Sequence, residues 1–191
     1  IFYAVGLAPG KLDEIASLAA RGADIKIVTD NIDAARAIAA HAGTHKVLIE
    51  IDTGDGRLGL DPADPEMIEI ARAIAATGSS RVVGVMTHAG QSYDARDAAG
   101  MAKIAVGERD GAIKAAGRLR AAGFDCPMVS VGSTPTATHA RDLAGVTELR
   151  AGVYMFGDLF QAGIGSCTLA NIALSVLASV IGHRTKDNAV V

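Results

Sequence analysis

Residues 45–59, HKVLIEIDTGDGRLG, decide the fold class of this chain. The apolar run at 47–51, bounded by turn residues, predicts a strand that is covered on both faces, as in a parallel sheet. Residues 52–57 would then lie just past the carboxyl end of this strand, where α/β sheets and barrels place their active sites. Arg57 brings a permanent cation into this short, glycine-containing loop. Considered alone, the stretch is explained equally well by an ordinary loop with a solvated arginine.

Units of one strand and one helix follow each other along the chain. Apolar runs predict strands at 2–7, 25–28, 45–52, 81–87, 127–131 and 148–156, and helical spacing predicts helices at 12–22, 32–43, 65–77 and 94–122, with a short one after 136. Repeated units of this kind indicate an α/β fold with a parallel sheet. Since a closed (β/α)8 TIM-type barrel needs eight strands, we expect a barrel whose first two βα units lie upstream of residue 1.

The pattern changes near the end of the chain. From residue 173, consecutive apolar and small residues, then Thr-Lys-Asp-Asn and Ala-Val-Val, predict a hairpin that opens a β-rich domain. We therefore expect 1–165 to be a partial α/β barrel and 166–191 to be the start of a C-terminal β domain. Both ends look cut. Because a partial barrel exposes strand edges and apolar surface, we expect these residues alone to fold poorly and to be inactive.

Composition narrows the class of partner. The 191 residues are half apolar and carry a formal net charge of −3 without a basic run, so neither nucleic acid nor an anionic membrane surface is indicated. The most apolar late segment, 172–181, is too short to span a bilayer. Cys126 and Cys167 lie far apart without metal-type spacing, which indicates a reducing, cytoplasmic compartment. A small molecule is the remaining class of partner.

Unusual polar and glycine residues follow four of the predicted strands, and a barrel would bring them to one face. They are Arg57, His88 in THAGQSY at 87–93, the GSTPT loop at 132–136, and Arg150 with Gly152. A lone histidine is more often a structural hydrogen-bonding group. The GSTPT loop alone fits an ordinary Ser/Thr turn as well as a phosphate site. Together, these groups predict one pocket for a phosphorylated, planar, anionic cofactor.

Several motifs resemble those of a known family. DTGDGRLG at 52–59, MTHAG at 86–90 and LRAGVYMFGD at 149–158 resemble the barrel of the fold-type III pyridoxal phosphate enzymes, the alanine racemase superfamily. Within it, HAGQSY at 88–93, GSTPT at 132–136 and DLFQAGIGS at 158–166 resemble the D-threonine aldolase and D-serine dehydratase family. The resemblance implies pyridoxal 5'-phosphate (PLP) as cofactor. It also implies a homodimer in which the β domain of one subunit covers the barrel mouth of the other.

The resemblance also implies which residues bind the cofactor. They are Arg57 near the phenolic oxygen, His88 against the pyridine ring, Tyr93 among the cofactor contacts, Gly132, Ser133 and Thr134 as a phosphate-binding turn, Gly152 and Val153 as the backbone amides that complete it, and Arg150 facing the pyridine nitrogen. An arginine in the last place would hinder protonation of the ring. The ring would therefore withdraw electrons less strongly than it does beside a carboxylate.

Two parts of the implied site would lie outside this chain. The family's Schiff-base lysine is expected on a strand upstream of residue 1, and neither Lys26 nor Lys46 matches its motif. A divalent metal ion, Mn, Mg or Zn, is expected in the C-terminal β domain, held by His and Cys or Asp side chains. We expect none of those metal ligands within this segment.

The implied activity is that of a PLP-dependent lyase acting on a β-hydroxy D-amino acid. Retro-aldol cleavage of a D-threonine or D-3-hydroxyaspartate type substrate and dehydration of a D-serine type substrate both fit, with the metal ion polarising the β-hydroxyl group. The alternatives are an amino-acid racemase, a non-catalytic PLP carrier and an unrelated α/β barrel. The predicted hairpin argues against the carrier, which is usually a single domain.

Overall fold

The protein is built around one parallel sheet. The computed structural model describes residues 2–3 and 6–190. The sheet has six strands in the order of the sequence, β1 (Phe2–Tyr3), β2 (Lys26–Thr29), β3 (Lys46–Ile51), β4 (Arg81–Thr87), β5 (Met128–Val131) and β6 (Glu148–Leu149). Every neighbouring pair is parallel, so the carboxyl ends of all strands lie at one edge. The predicted α/β class is confirmed, whereas closure into an eight-stranded barrel stays a prediction.

Helices connect the strands. They are α1 (Leu12–Ala20), α2 (Ile32–Ala40), α3 (Glu66–Ala75), α4 (Ala98–Ala121), α5 (Thr134–His139) and α6 (Leu159–Gly163). Side-chain caps fix several of their starts, because a side-chain oxygen satisfies N–H groups that have no partner inside the helix. The Asn31 side chain accepts the N–H groups of Asp33 and Ala34 at the start of α2. Asp97 caps α4 in the same way. No described helix has the length and apolar character needed to cross a bilayer.

The two faces of the sheet differ in polarity. One face packs against the helices in the larger apolar cluster, which includes Val47, Ile49 and Ile51 of β3. The opposite face carries a smaller cluster that includes Leu48 and Met86. Because successive side chains of a strand point to opposite faces, Glu50 belongs to this second face. The strand register places Glu50, Met86, Ser130 and Glu148 side by side across it.

The sixth predicted strand, 148–156, is wrong beyond its first residues. Strand β6 ends at Leu149, and a 3₁₀ turn occupies Val153–Met155. The N–H of Arg150 still donates to the carbonyl of Val131 at 2.8 Å, but β5 ends at that valine. Beyond this point the described part of the chain offers no strand for pairing, and Gly152 turns the chain with φ −100° and ψ −59°.

The two ends of the chain agree with the predictions in part. Of the predicted strand at 2–7, β1 covers two residues, and Ala4 and Val5 lie outside the described residues. At the other end, β7 (Gly182–Thr185) and β8 (Asn188–Val190) pair in the antiparallel sense, which confirms the hairpin. Its first arm starts at Gly182, and the residues at 173–181 form no strand. Val191 lies outside the described residues.

Candidate active site

A cleft of about 490 Å³ opens at the carboxyl ends of β5 and β6. It is lined by His88, Tyr93, Gly132, Ser133, Thr134, Leu149, Arg150, Ala151, Gly152 and Val153. These include every residue predicted from the sequence to bind the cofactor except Arg57. Carboxyl ends of parallel strands are where α/β proteins bind small molecules, so the cleft has both the predicted composition and the predicted position.

The GSTPT loop forms one wall of the cleft, and Gly132 determines its course. Gly132 has φ +129°, and a Cβ atom there would lie 2.2 Å from the carbonyl oxygen of Arg150. Only glycine fits so close to the neighbouring chain. The residue therefore brings the end of β5 against the end of β6 while the chain turns into α5.

Ser133 makes its hydrogen bonds within the protein. Its hydroxyl accepts the N–H of Thr136 at 3.3 Å, and its own N–H donates to Oγ1 of Thr136 at 3.0 Å. These two bonds form a capping box at the start of α5. The hydroxyl also lies 2.8 Å from that of Ser92. Ser133 therefore acts as an ordinary Ser/Thr turn residue, one of the two alternatives for this loop, and it shapes the loop.

Thr134 is the polar group of this loop that remains unsatisfied. Its Oγ1 is buried, and no hydrogen bond of normal geometry reaches it within the described residues. The Tyr93 hydroxyl lies nearby: burial raises the pKa of Tyr93, and the backbone and hydroxyl of Thr134 oppose this rise. A buried polar atom without a partner costs about 1–3 kcal/mol. An oxygen-bearing group that reached this hydroxyl would recover that free energy.

The facing wall consists of backbone. The described residues offer no backbone acceptor to the N–H groups of Gly152 and Val153. A Cβ atom built on Gly152 would meet nothing within 4 Å, so the space in front of this peptide is open. Two unpaired donors without bulky side chains are a suitable arrangement for an anion.

Arg150 lies across the carboxyl ends of β4 and β5. Its Nε donates to Oγ of Ser130 at 2.8 Å, and its Nη2 donates to the carbonyl of Thr87. Ser130 in turn donates to Glu148 at 2.6 Å. Burial lowers the pKa of Arg150, and the charges of Glu108, Glu148 and Glu50 oppose this effect. The guanidinium group is therefore a fixed cation at the base of the cleft.

His88 and Tyr93 form an aromatic side of the cleft. Their ring centroids lie 6.4 Å apart, and that of Phe160 lies 6.2 Å from Tyr93. Burial lowers the pKa of His88, the cations Arg57 and Arg150 lower it further, and Asp55 and the Gly132 backbone oppose them. The imidazole is therefore neutral near pH 7, and a flat, uncharged ring suits stacking against a heteroaromatic ligand.

Arg57 stays outside the lining of the cleft. Its side chain is 57% exposed and lies 3.7 Å from a carboxylate oxygen of Asp55. The loop that carries it is folded around Asp52, whose carboxylate accepts N–H groups of Gly54, Asp55 and Gly56. Because the charge of Arg57 affects the pKa of His88, Arg57 belongs to the same end of the sheet.

Two buried carboxylic acids near the site were missed by the sequence reasoning. Glu50 is 2% exposed, and its Oε2 has no partner within the described residues. Burial and the charge of Asp30 raise its pKa to about 7, although Arg57 and Arg150 oppose the rise. Glu108 of α4 is equally buried. The sequence signal was available for Glu50, because this acid interrupts the apolar run at 47–51.

Lys26 and Lys46 lie at the opposite, amino-terminal ends of their strands. Both Nζ atoms are 2.6 Å from a carboxylate oxygen of Asp24. With Arg81 they line a second cleft of about 400 Å³. The geometry therefore places neither lysine in the candidate site. Across residues 2–3 and 6–190 no three His, Cys, Asp or Glu side chains are grouped to hold a metal ion.

Comparison with known proteins adds independent evidence. A family model described as alanine racemase, N-terminal domain, matches residues 5–159. The chain is 48% identical over 189 residues to D-threo-3-hydroxyaspartate dehydratase from Delftia sp. (strain HT23), covering 96% of this chain and 50% of that protein. It is 31% identical over 204 residues to 3-hydroxy-D-aspartate aldolase from Paracoccus denitrificans, covering 96% and 50%.

Solved structures agree. The Delftia dehydratase structure matches with a TM-score of 0.91 and 48% identity over 96% of this chain and 50% of that one. An alanine racemase-like protein from Idiomarina loihiensis matches with a TM-score of 0.88 and 40% identity over 95% and 49%. The chain spans about half the length of the curated relatives it matches. The resemblance found in the sequence is confirmed: the chain belongs to the alanine racemase N-terminal domain family, within the fold-type III PLP enzymes.

Proposed function

We propose that the cleft holds PLP and that the protein containing this chain is a lyase acting on β-hydroxy D-amino acids. The observation that carries the proposal is the unsatisfied Oγ1 of Thr134, which lies in a cleft whose facing wall offers the N–H groups of Gly152 and Val153. Three donor groups on residues that line one cleft suit the phosphate group. The residues present therefore fit the cofactor that the family implies.

The rest of the cleft fits the ring of the cofactor. His88 would lie against the pyridine ring, Tyr93 would close the aromatic side, and Arg57 would reach the phenolic oxygen from the rim. Arg150 would face the pyridine nitrogen and, as a fixed cation, would keep a proton off that atom. When bound, PLP withdraws electrons from the α-carbon of an amino acid substrate. This chain's own residues bind and orient it, while Gly132 and Ser133 shape the wall.

Further features of the whole protein remain proposals. For the sheet, we propose closure into a (β/α)8 barrel with a boundary near residue 165. Outside these residues, we propose a Schiff-base lysine and a β domain that holds a divalent metal ion. For the whole protein, we propose assembly into a homodimer and a cytoplasmic location. Three consecutive apolar side chains, those of Tyr154, Met155 and Phe156, are exposed, and they support additional covering structure because exposed apolar surface marks interaction sites.

The substrate class follows from the relatives. The relative with higher identity is named for dehydration of D-threo-3-hydroxyaspartate, and the one with lower identity is named for aldol cleavage of 3-hydroxy-D-aspartate. Dehydration followed by hydrolysis converts 3-hydroxyaspartate to oxaloacetate and ammonia. Retro-aldol cleavage converts it to glycine and glyoxylate. We propose dehydration as the reaction, with cleavage as the second candidate.

A product assay tests the proposal. The protein that contains this chain is loaded with PLP and a divalent metal ion and is given D-threo-3-hydroxyaspartate. We expect oxaloacetate and ammonia in equal amounts, whereas equal amounts of glycine and glyoxylate would select the aldolase. Turnover of neither kind by a protein that has bound PLP would refute 3-hydroxyaspartate as the substrate, and failure with D-serine and D-threonine as well would refute the lyase assignment.

A further inference from the structure

Glu108 is a carboxylate in an apolar position. It is 2% exposed and lies on the buried stripe of α4 with Met101, Ala105 and Ala112. Taking a carboxylate out of water costs several kcal/mol unless hydrogen bonds replace the lost hydration. An apolar residue would pack there without that cost. The presence of a carboxylate at this position therefore needs a structural explanation.

The carboxylate of Glu108 joins three elements of the site. Its Oε1 accepts the hydroxyl of Thr87 at 2.8 Å, at the end of β4, and the N–H of Gly132 at 2.8 Å. Its Oε2 accepts the hydroxyl of Thr136 at 2.9 Å, in the first turn of α5. All three donors are buried and uncharged, and charge-assisted hydrogen bonds are stronger than neutral ones. This one side chain therefore ties the helix to the end of β4 and to both sides of the GSTPT loop.

These bonds fix the orientation of the loop. The N–H of Gly132 is turned inward to Glu108, and the N–H of the next residue, Ser133, is turned inward to Thr136. Thr136, held by Glu108, holds Ser133 in the capping box, and Ser133 contacts Ser92 at 2.8 Å. Without the carboxylate, the Gly132 N–H would be buried without an acceptor or the loop would relax. Either change would move Thr134.

Glu108 is also connected to the cation of the cleft. Arg150 donates to the carbonyl of Thr87, and the hydroxyl of the same threonine donates to Glu108. The charge of Glu108 raises the pKa of Arg150 and so opposes the effect of burial. Glu108 thus acts on both the phosphate end and the cationic end of the site without lining the cleft itself.

We propose that Glu108 is a positioning residue that sets the conformation of residues 132–134 and thereby the affinity of the cleft for a phosphate group. This inference rests on the proposed PLP site. It predicts that loss of the carboxylate weakens binding of the phosphorylated cofactor more than binding of the same ring without phosphate. General destabilisation of the fold would weaken both.

The experiment compares PLP with pyridoxal, which lacks the phosphate, by absorbance titration of the protein that contains this chain. We expect Glu108→Ala to lower PLP affinity tenfold or more and pyridoxal affinity less than threefold. Glu108→Gln should lose less PLP affinity, about threefold to tenfold, because its amide oxygen still accepts from Gly132 while its NH₂ group cannot accept from Thr136. Amide hydrogen exchange at Gly132, measured without cofactor, should be faster in both variants.

Leu119→Ala is the matched control. Leu119 is fully buried in α4 about three turns from Glu108, so the variant loses stability without touching the loop. Its preference for PLP over pyridoxal should equal that of the wild type. An unchanged preference in both Glu108 variants, or an equal loss in Leu119→Ala, would overturn the inference. If Glu108→Ala does not fold, the ratio of PLP to pyridoxal affinity in Glu108→Gln tests the inference. A wild type without any preference for PLP would instead refute the proposed function, and this inference with it.

Discussion

Replacement of Glu50 by glutamine should change how stability depends on pH. Burial raises the pKa of Glu50 from its ordinary value of 4.5 to about 7 in the folded protein. The folded state therefore binds this proton more tightly than the unfolded state. Its contribution to the free energy of unfolding is fully present below about pH 4.5 and is lost as the pH rises through about 7.

The magnitude follows from the two pKa values. A difference between 4.5 and about 7 corresponds to at most about 3 kcal/mol. Because the protein relaxes around a charge that forms in its interior, we expect a smaller contribution of about 1–2 kcal/mol. Glu50→Gln cannot ionise. The variant should therefore gain about 1–2 kcal/mol relative to the wild type between pH 5 and pH 8.

Urea unfolding of both proteins at pH 5, 6, 7 and 8 measures this difference directly. Glu69→Gln is the matched control, because Glu69 is exposed on α3, and its difference from the wild type should be the same at every pH. A difference between Glu50→Gln and the wild type that stays constant from pH 5 to pH 8 would refute the reasoning. It would mean that Glu50 titrates alike in the folded and unfolded protein.

Two further substitutions test the walls of the cleft. Thr134→Val removes the unsatisfied hydroxyl at nearly constant volume, so PLP affinity should fall about fivefold to tenfold (~1–1.4 kcal/mol) in a fluorescence titration. The free energy of unfolding without PLP should rise, because a buried polar atom without a partner is removed. Thr138→Val is the control, because the Thr138 hydroxyl donates to the Thr134 carbonyl at 2.8 Å, and equal PLP affinity in both variants would contradict the role of Thr134. Gly132→Ala places a Cβ atom against the Arg150 carbonyl oxygen, in a residue whose φ is +129°. Urea unfolding should therefore show that the free energy of unfolding falls by about 2 kcal/mol or more. A fall below about 0.5 kcal/mol would count against the close packing of the two strand ends.

Much of the fold could be predicted because the deciding information is local. The apolar run at 81–87 predicted β4 with its observed bounds, Arg81–Thr87. The length of β6 could not be predicted in this way. It depends on where the partner strand β5 ends, which is Val131, and that end is set by a different segment of the chain. Considered alone, the apolar sequence at 151–156 is typical of a strand, but it forms one only beside a free sheet edge.

The candidate site could be predicted at the level of residues but less well at the level of atoms. The sequence motifs predicted nine residues for one pocket, and eight of them line one cleft. The motifs could not separate Ser133, which caps a helix, from Thr134, whose hydroxyl is unsatisfied, because hydroxyl side chains serve caps and anions alike. Glu108 was missed because its partners Thr87 and Gly132 are 21 and 24 residues away. Only tertiary packing brings such groups together.

A crystal structure of the protein that contains this chain, grown with PLP, would show where the cofactor binds. We expect phosphate oxygens within about 3 Å of Thr134 Oγ1 and of the N–H groups of Gly152 and Val153, with the pyridine ring against His88. The second cleft, at the other end of the sheet, is also lined by cationic side chains, those of Lys26, Lys46 and Arg81. Phosphate bound there, with the first cleft holding only solvent, would contradict the account.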